Sequence, residues 1–64
     1  MKLIKFEVSN SGNPVAIDPD TVTRIGYGSD PDKNTFIKQI DGSEVEVSGT
    51  FVSVLQIINQ AKGG

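Results

Sequence analysis

The chain opens on an alternation. From Lys2 to Val8, the residues Ile4, Phe6 and Val8 fall on one side and Lys5 and Glu7 on the other, the two-residue period of a half-buried strand. Ser9-Asn10-Ser11-Gly12-Asn13 is a run of turn formers. Pro14 then starts a second strand through Val15 and Ile17, at the first-strand position where proline is tolerated. Asp18-Pro19-Asp20 ends it, because Pro19 suits the second position of a type I turn and Asp18 can accept backbone N–H groups. Thr21 to Tyr27 is rich in β-branched residues and predicts a third strand with Thr23, Ile25 and Tyr27 on one face. Gly26-Tyr27-Gly28-Ser29-Asp30-Pro31-Asp32 breaks the regularity, its glycines pointing to a bulge or a close backbone approach.

A fourth strand from Asn34 to Ile40 is apolar on both sides, with Phe36 and Ile40 on one and Ile37 and Thr35 on the other. That pattern belongs to a central strand or to one at a subunit contact. Asp41-Gly42 then predicts a two-residue type I′ turn, with positive φ at both positions, leading into a fifth strand. In that strand Val45 and Val47 face the core and Glu44 and Glu46 face solvent.

The period then changes. Phe51, Val54, Leu55, Ile58 and Ala61 form a helical stripe, with Ser48 or Thr50 as N-cap and Lys62-Gly63-Gly64 as a cationic, glycine-rich stop. The chain is therefore expected to be one α+β domain over residues 1–64, with strands at about 2–8, 14–17, 21–27, 34–40 and 44–47 and a helix at about 49–61. The antiparallel sheet of about five strands would form a meander or a partly closed barrel. One echo runs through it: Asp18-Pro19-Asp20 and Asp30-Pro31-Asp32 each lead into a Thr/Ile strand, the same turn chemistry used twice.

Length changes the energetic picture. A chain of 64 residues buries only about 60% of the surface its unfolded form exposes, a margin that small domains reinforce with disulfides, metals or self-association. With no cysteine and no histidine, the first two props are closed and a homo-oligomer is expected. Val52 and Ile57 lie off the helical stripe, and with Ile37 and Leu3 on the second sheet face they supply surplus apolar surface, which marks an interface; Ile37, Val52, Leu55 and Ile57 are the residues expected there.

The same two absences narrow the chemistry. The commonest general base and the thiol nucleophile are missing, and a hydroxyl nucleophile lacks its usual partner, so no enzyme and no cofactor is expected. A net charge of −2 argues against DNA or RNA as partner. After Met1-Lys2 no long apolar stretch follows, and no run approaches the ~20 residues of a membrane span, so a soluble, cytoplasmic protein is expected.

Two kinds of polar cluster remain. Asp18, Asp20, Asp30 and Asp32 lack the ligand spacing of a calcium loop and carry a proline inside each pair, so they are expected to cap turns and hold no metal. Arg24 with Gly26, Tyr27, Gly28 and Ser29 is the candidate ligand site. The glycines would let backbone N–H groups approach an anion, Arg24 would pair with a phosphate and Tyr27 would stack on a base, with Lys33 and Lys38 adding charge from a second subunit.

The run Val15-Ala16-Ile17-Asp18-Pro19-Asp20-Thr21-Val22-Thr23-Arg24-Ile25 resembles the hydrophobic–Asn/Asp–Pro–Asp–x–Ile–x–x–Ile stretch of the small flagellar FlbD-like (SwrD) proteins. Asn34 to Ile37, Asp41-Gly42, Val45 to Val47 and the helix after Ser48 are similar in order and spacing, so the resemblance covers most of the chain. It departs at Val47-Ser48, where that family tends to place an acidic residue before the Ser. The resemblance implies a non-catalytic regulatory adaptor acting through other proteins. By size and architecture the chain is also similar to small phage-encoded sponge and anti-defence proteins, which implies sequestration of a small anionic or nucleotide-derived ligand by a homo-oligomer.

Overall fold

A computed structural model describes residues 3–63. The expected strand start at Lys2 and the terminal Gly64 of the helix stop lie outside the described residues. The order is β1 (Ile4–Glu7), β2 (Pro14–Ile17), a single 3₁₀ turn (Pro19–Thr21), β3 (Val22–Tyr27), β4 (Asn34–Gln39), β5 (Glu44–Ser48) and α1 (Phe51–Gly63). All pairings are antiparallel: β1 with β2, and β3-β4-β5 as a meander. The two sheets meet at one bridge, Val8 with Val47, beside a hydrogen bond from Ser9 N–H to the Glu46 carbonyl (2.9 Å). The barrel is not closed, and the fold is the expected small α+β unit.

The apolar periodicity accounts for the core. Phe6, Ile17, Val22, Ile37, Val47, Val54 and Ile58 are buried together, with Ile4, Val15, Ile25 and Val45 packed around them. Along α1 the stripe faces inward as its spacing predicts, Val54 and Ile58 buried and Phe51, Leu55 and Ala61 half-buried. Thr50, not Ser48, caps the helix: its hydroxyl oxygen accepts from Ser53 N–H (3.2 Å) and its carbonyl from Val54 N–H (3.0 Å). Buried Thr35 donates its hydroxyl to the Gly49 carbonyl (2.9 Å), tying the turn before α1 to the middle of the meander.

The repeated Asp-Pro-Asp is one device used twice. Asp18 Oδ1 accepts from Asp20 N–H (2.9 Å) and Asp30 Oδ1 from Asp32 N–H (3.3 Å), each aspartate closing its own turn two residues on. Among the described residues no three acidic side chains gather at metal-ligating distance.

Three local expectations need correction. The β4–β5 hairpin forms, but not through a type I′ turn. Only Gly42 has positive φ (91°), Gln39 N–H donates to Ser43 O (2.9 Å) and Gly42 N–H donates to Gln39 O (2.9 Å). This is a three-residue loop in which Asp41 keeps an ordinary φ and Gly42 supplies the left-handed step. It places Ile40 at the turn tip, exposed, and not on the Phe36 face.

Secondly, the register slips between Val22 and Arg24. Thr23 becomes a bulge, so Val22 and Ile25 both face the core while Thr23 and Arg24 are exposed. Thirdly, Ile37 is fully buried between Ile25 and Val45, and so belongs to the chain's own core and not to a subunit interface.

Candidate functional site

The outer face of the meander, away from α1, carries the candidate site. Register sets Arg24 of β3 beside Lys38 of β4, with Glu44 of β5 on the far side of Lys38. One step along the strands, Gly26 lies opposite Phe36 and Phe36 opposite Glu46. Antiparallel partners project to the same side, so two cations and an aromatic ring share one open surface. Arg24, Gly26, Tyr27, Phe36, Lys38 and Glu44 line a shallow concavity of about 280 Å³. Gly26 leaves the ground beside Phe36 clear, since a Cβ there would meet nothing within 4 Å. Glu44 offsets part of the charge on Lys38, and Arg24 keeps the open end.

Only part of the sequence-expected site comes together here. Arg24 and Gly26 are in place, and Lys38 joins them within the same chain, without a second subunit. Tyr27 reaches the rim, but its partner across the ladder is buried Thr35, so its ring turns to the α1 side. There it packs on Phe51 at 4.9 Å between centroids with a 40° tilt. The aromatic ring on the cationic face is Phe36. Strand alternation alone leaves Phe36 on an ambiguous face, and the register of β3 against β4 is what sets it beside Arg24 and Lys38.

Gly28 and Ser29 do something else. Ser29 N–H (2.7 Å) and Ser29 Oγ (2.9 Å) both donate to Glu46 Oε2, and Ser9 Oγ donates to Glu46 Oε1 (2.9 Å). The backbone donor expected to receive a ligand anion is thus occupied by the chain's own carboxylate. Glu46, expected to face solvent, ties the β1–β2 loop and the β3–β4 loop to β5. Gly28 is where the close backbone approach lies: a Cβ there would sit 2.8 Å from Asn34 backbone carbon and 2.6 Å from Glu46 Oε2.

These three bonds have an electrostatic signature. Ser29 N–H first, then the Ser29 and Ser9 hydroxyls, hold the Glu46 carboxyl below its ordinary pKa, against a small opposing effect of burial. Asp41 is lowered likewise, by the Ser43 hydroxyl (2.6 Å) and then Ser43 N–H (2.9 Å). For a carboxyl whose folded pKa is depressed, the stabilisation is complete above the unfolded value and is lost as pH falls through the folded one. Wild-type protein should therefore lose more stability than Glu46→Gln when urea midpoints are compared between about pH 6 and about pH 3. Equal losses would show that Glu46 is not held by this clamp.

The remaining expected interface residues are dispersed. Val52 is exposed, Leu55 is half-buried against β3, and Ile57 borders a separate hollow with Lys5, Glu7 and Ser48. Five residues at about 100° each set Val52 and Ile57 on different sides of α1, so the four positions do not form one patch. No helix among the described residues is long and apolar enough to cross a membrane. No protein-family model matches the chain, and no curated protein or solved structure matches it.

Proposed function

We propose that this chain is a non-enzymatic binding domain whose outer sheet face holds a small anionic, nucleotide-derived ligand. The observation that carries the reading is the row of Arg24 and Lys38, set side by side by the strand register with Phe36 next to them. A guanidinium and an ammonium at neighbouring positions suit a phosphate, Arg by its planar fork and Lys as a point charge. The exposed Phe36 ring offers a stacking surface for a flat base. Asp41 and Glu46 are both held low by their serine donors, the reverse of what a general acid at neutral pH needs.

The concavity is open, and a ligand on one chain would stay half in solvent. A second copy laid over this face would enclose it, so the reading includes a homo-oligomer that sequesters its ligand, a role of the sponge and anti-defence kind carried out in the cytoplasm.

Native mass spectrometry of the protein as purified, followed by calorimetry with AMP as probe, tests the reading. The expected result is a retained anionic mass or measurable AMP binding that weakens at least about tenfold in each of Arg24→Ala, Lys38→Ala and Phe36→Ala. Tyr27→Ala should leave it unchanged, because that ring rests on Phe51. Bare protein that binds no AMP, or binding indifferent to all three substitutions, would overturn it.

A further inference from the structure

Among the described residues β3 has no partner on its outer edge, and hydrogen bonding defines what that edge offers. Gly28 N–H donates to Asn34 O (3.2 Å), and bonded pairs recur at every second residue of an antiparallel ladder. Gly26–Phe36 and Arg24–Lys38 are therefore the bonded pairs, and Ile25 and Tyr27 turn their N–H and C=O groups away from β4. The other side of β4 agrees: Gln39 N–H donates to Ser43 O (2.9 Å), so Gln39, Ile37 and Thr35 serve β5 and leave Phe36 and Lys38 to β3.

Beside this edge runs α1, and between them lies a groove of about 260 Å³. Ile25, Leu55 and Ile58 give it apolar walls, and Arg24 and Lys62 stand at its rims. The Thr23 bulge interrupts the edge at its start, which leaves Arg24 to Tyr27 as the regular stretch.

We propose that this edge and groove dock an extended acidic peptide segment of a partner protein by strand addition. The added strand would bond the N–H and C=O groups of Ile25 and Tyr27. Its residue opposite Ile25 projects to the α1 side, so an apolar side chain there enters the groove against Leu55 and Ile58. The residues flanking it project to the outer face, where a carboxylate meets Arg24, and the charge of Lys62 at the groove adds a longer-range attraction for the acidic segment.

Charge selects this occupant over a second copy of the chain. The edge strands β2 (Pro-Val-Ala-Ile) and β3 (Val-Thr-Arg-Ile-Gly-Tyr) carry no carboxylate, so neither can complement Arg24, and β3 paired with itself would set both copies of Arg24 on one face with no carboxylate between them. The proposal stands apart from the sheet-face ligand, although Arg24 borders both sites.

The test uses ¹⁵N-labelled protein and a capped heptapeptide of alternating glutamate and leucine, with a lysine-for-glutamate peptide as control. Saturation with the acidic peptide should slow amide exchange at Ile25 and Tyr27 at least about tenfold. Arg24→Glu and Lys62→Glu should each weaken binding at least about tenfold, while Phe36→Ala, which disables the ligand face, leaves it unchanged. Unprotected amides at Ile25 and Tyr27, equal affinity for the lysine peptide, or shifts confined to Phe36 and Lys38 would each overturn the proposal. So would protection of Ile25 and Tyr27 that rises with protein concentration in the absence of peptide, which would mark the edge as a self-association surface.

Discussion

Replacing Ile37 by alanine is expected to remove about 2–5 kcal/mol of folding free energy, the range for deleting a large aliphatic side chain from a closed core. Ile37 has no exposed surface and lies in the central strand with Ile25 and Val45 as its partners on either side. A backbone paired on both edges has little freedom to collapse into the space left behind, so the cavity persists. A domain of this length has only about 3–10 kcal/mol in total, so the loss is a large fraction of its stability and the urea midpoint should fall steeply. Urea denaturation followed by circular dichroism measures this directly. Val52→Ala is the control, since Val52 is 60% exposed and its truncation should move stability by no more than about 0.5 kcal/mol. If Ile37→Ala cost no more than Val52→Ala, the register of β4 would be wrong, and Ile37 would return to the surface as an interface residue.

The second large effect is expected at Gly28. A methyl group there would stand 2.8 Å from Asn34 backbone carbon and from Asn34 Cβ, distances that real Cβ atoms do not tolerate. The Glu46 carboxylate, 2.6 Å from the same point, could swing aside, but only by leaving Ser29. The Asn34 backbone is fixed by the start of β4 and cannot. Gly28→Ala should therefore cost about 1–3 kcal/mol through forced backbone movement, and it should abolish the excess acid sensitivity attributed to Glu46. Gly26→Ala separates this steric cost from any general effect of glycine in a strand, because nothing lies within 4 Å of its added Cβ. A small change at Gly26 with a large one at Gly28 is the expected pattern, read from thermal and urea unfolding of the two variants. Equal effects would mean that the close approach at Gly28 is not a constraint.

How far the sequence reached depended on how local each signal was. The alternation in Ile4 to Val8, the Asp-Pro-Asp turns and the helical stripe from Phe51 to Ala61 are written within a few residues, and the fold carries each of them. A one-residue slip is different. The bulge at Thr23 has no signature among β-branched neighbours, yet beyond it every side chain changes face. That slip took Thr23 off the face of Ile25 and Tyr27 and put Val22 in the core, and the register it sets brought Phe36 and Lys38 beside Arg24. Asp41-Gly42 marked a hairpin correctly, but two loop lengths are compatible with that dipeptide and only the Gln39–Ser43 bond distinguishes them. Glu46 was the least legible residue. Alternation puts it on the polar face, where it does lie, but its three donors come from loops far away in sequence, and no local pattern encodes them.

The single joint between the two sheets bears on how the chain folds. The β1–β2 hairpin and the β3-β4-β5 meander each pair strands that are neighbours in sequence, so each can form with short loop closures. The joint at Val8–Val47, with Ser9 on Glu46 across 37 residues, is the one strand pairing among the described residues that must close a long loop. Closure entropy grows only with the logarithm of loop length, so the joint is affordable, but it favours forming it after its two halves exist. The seam that holds the carboxylate clamp is thus also the seam along which nascent chain, once its hairpins have formed, becomes one cooperative unit.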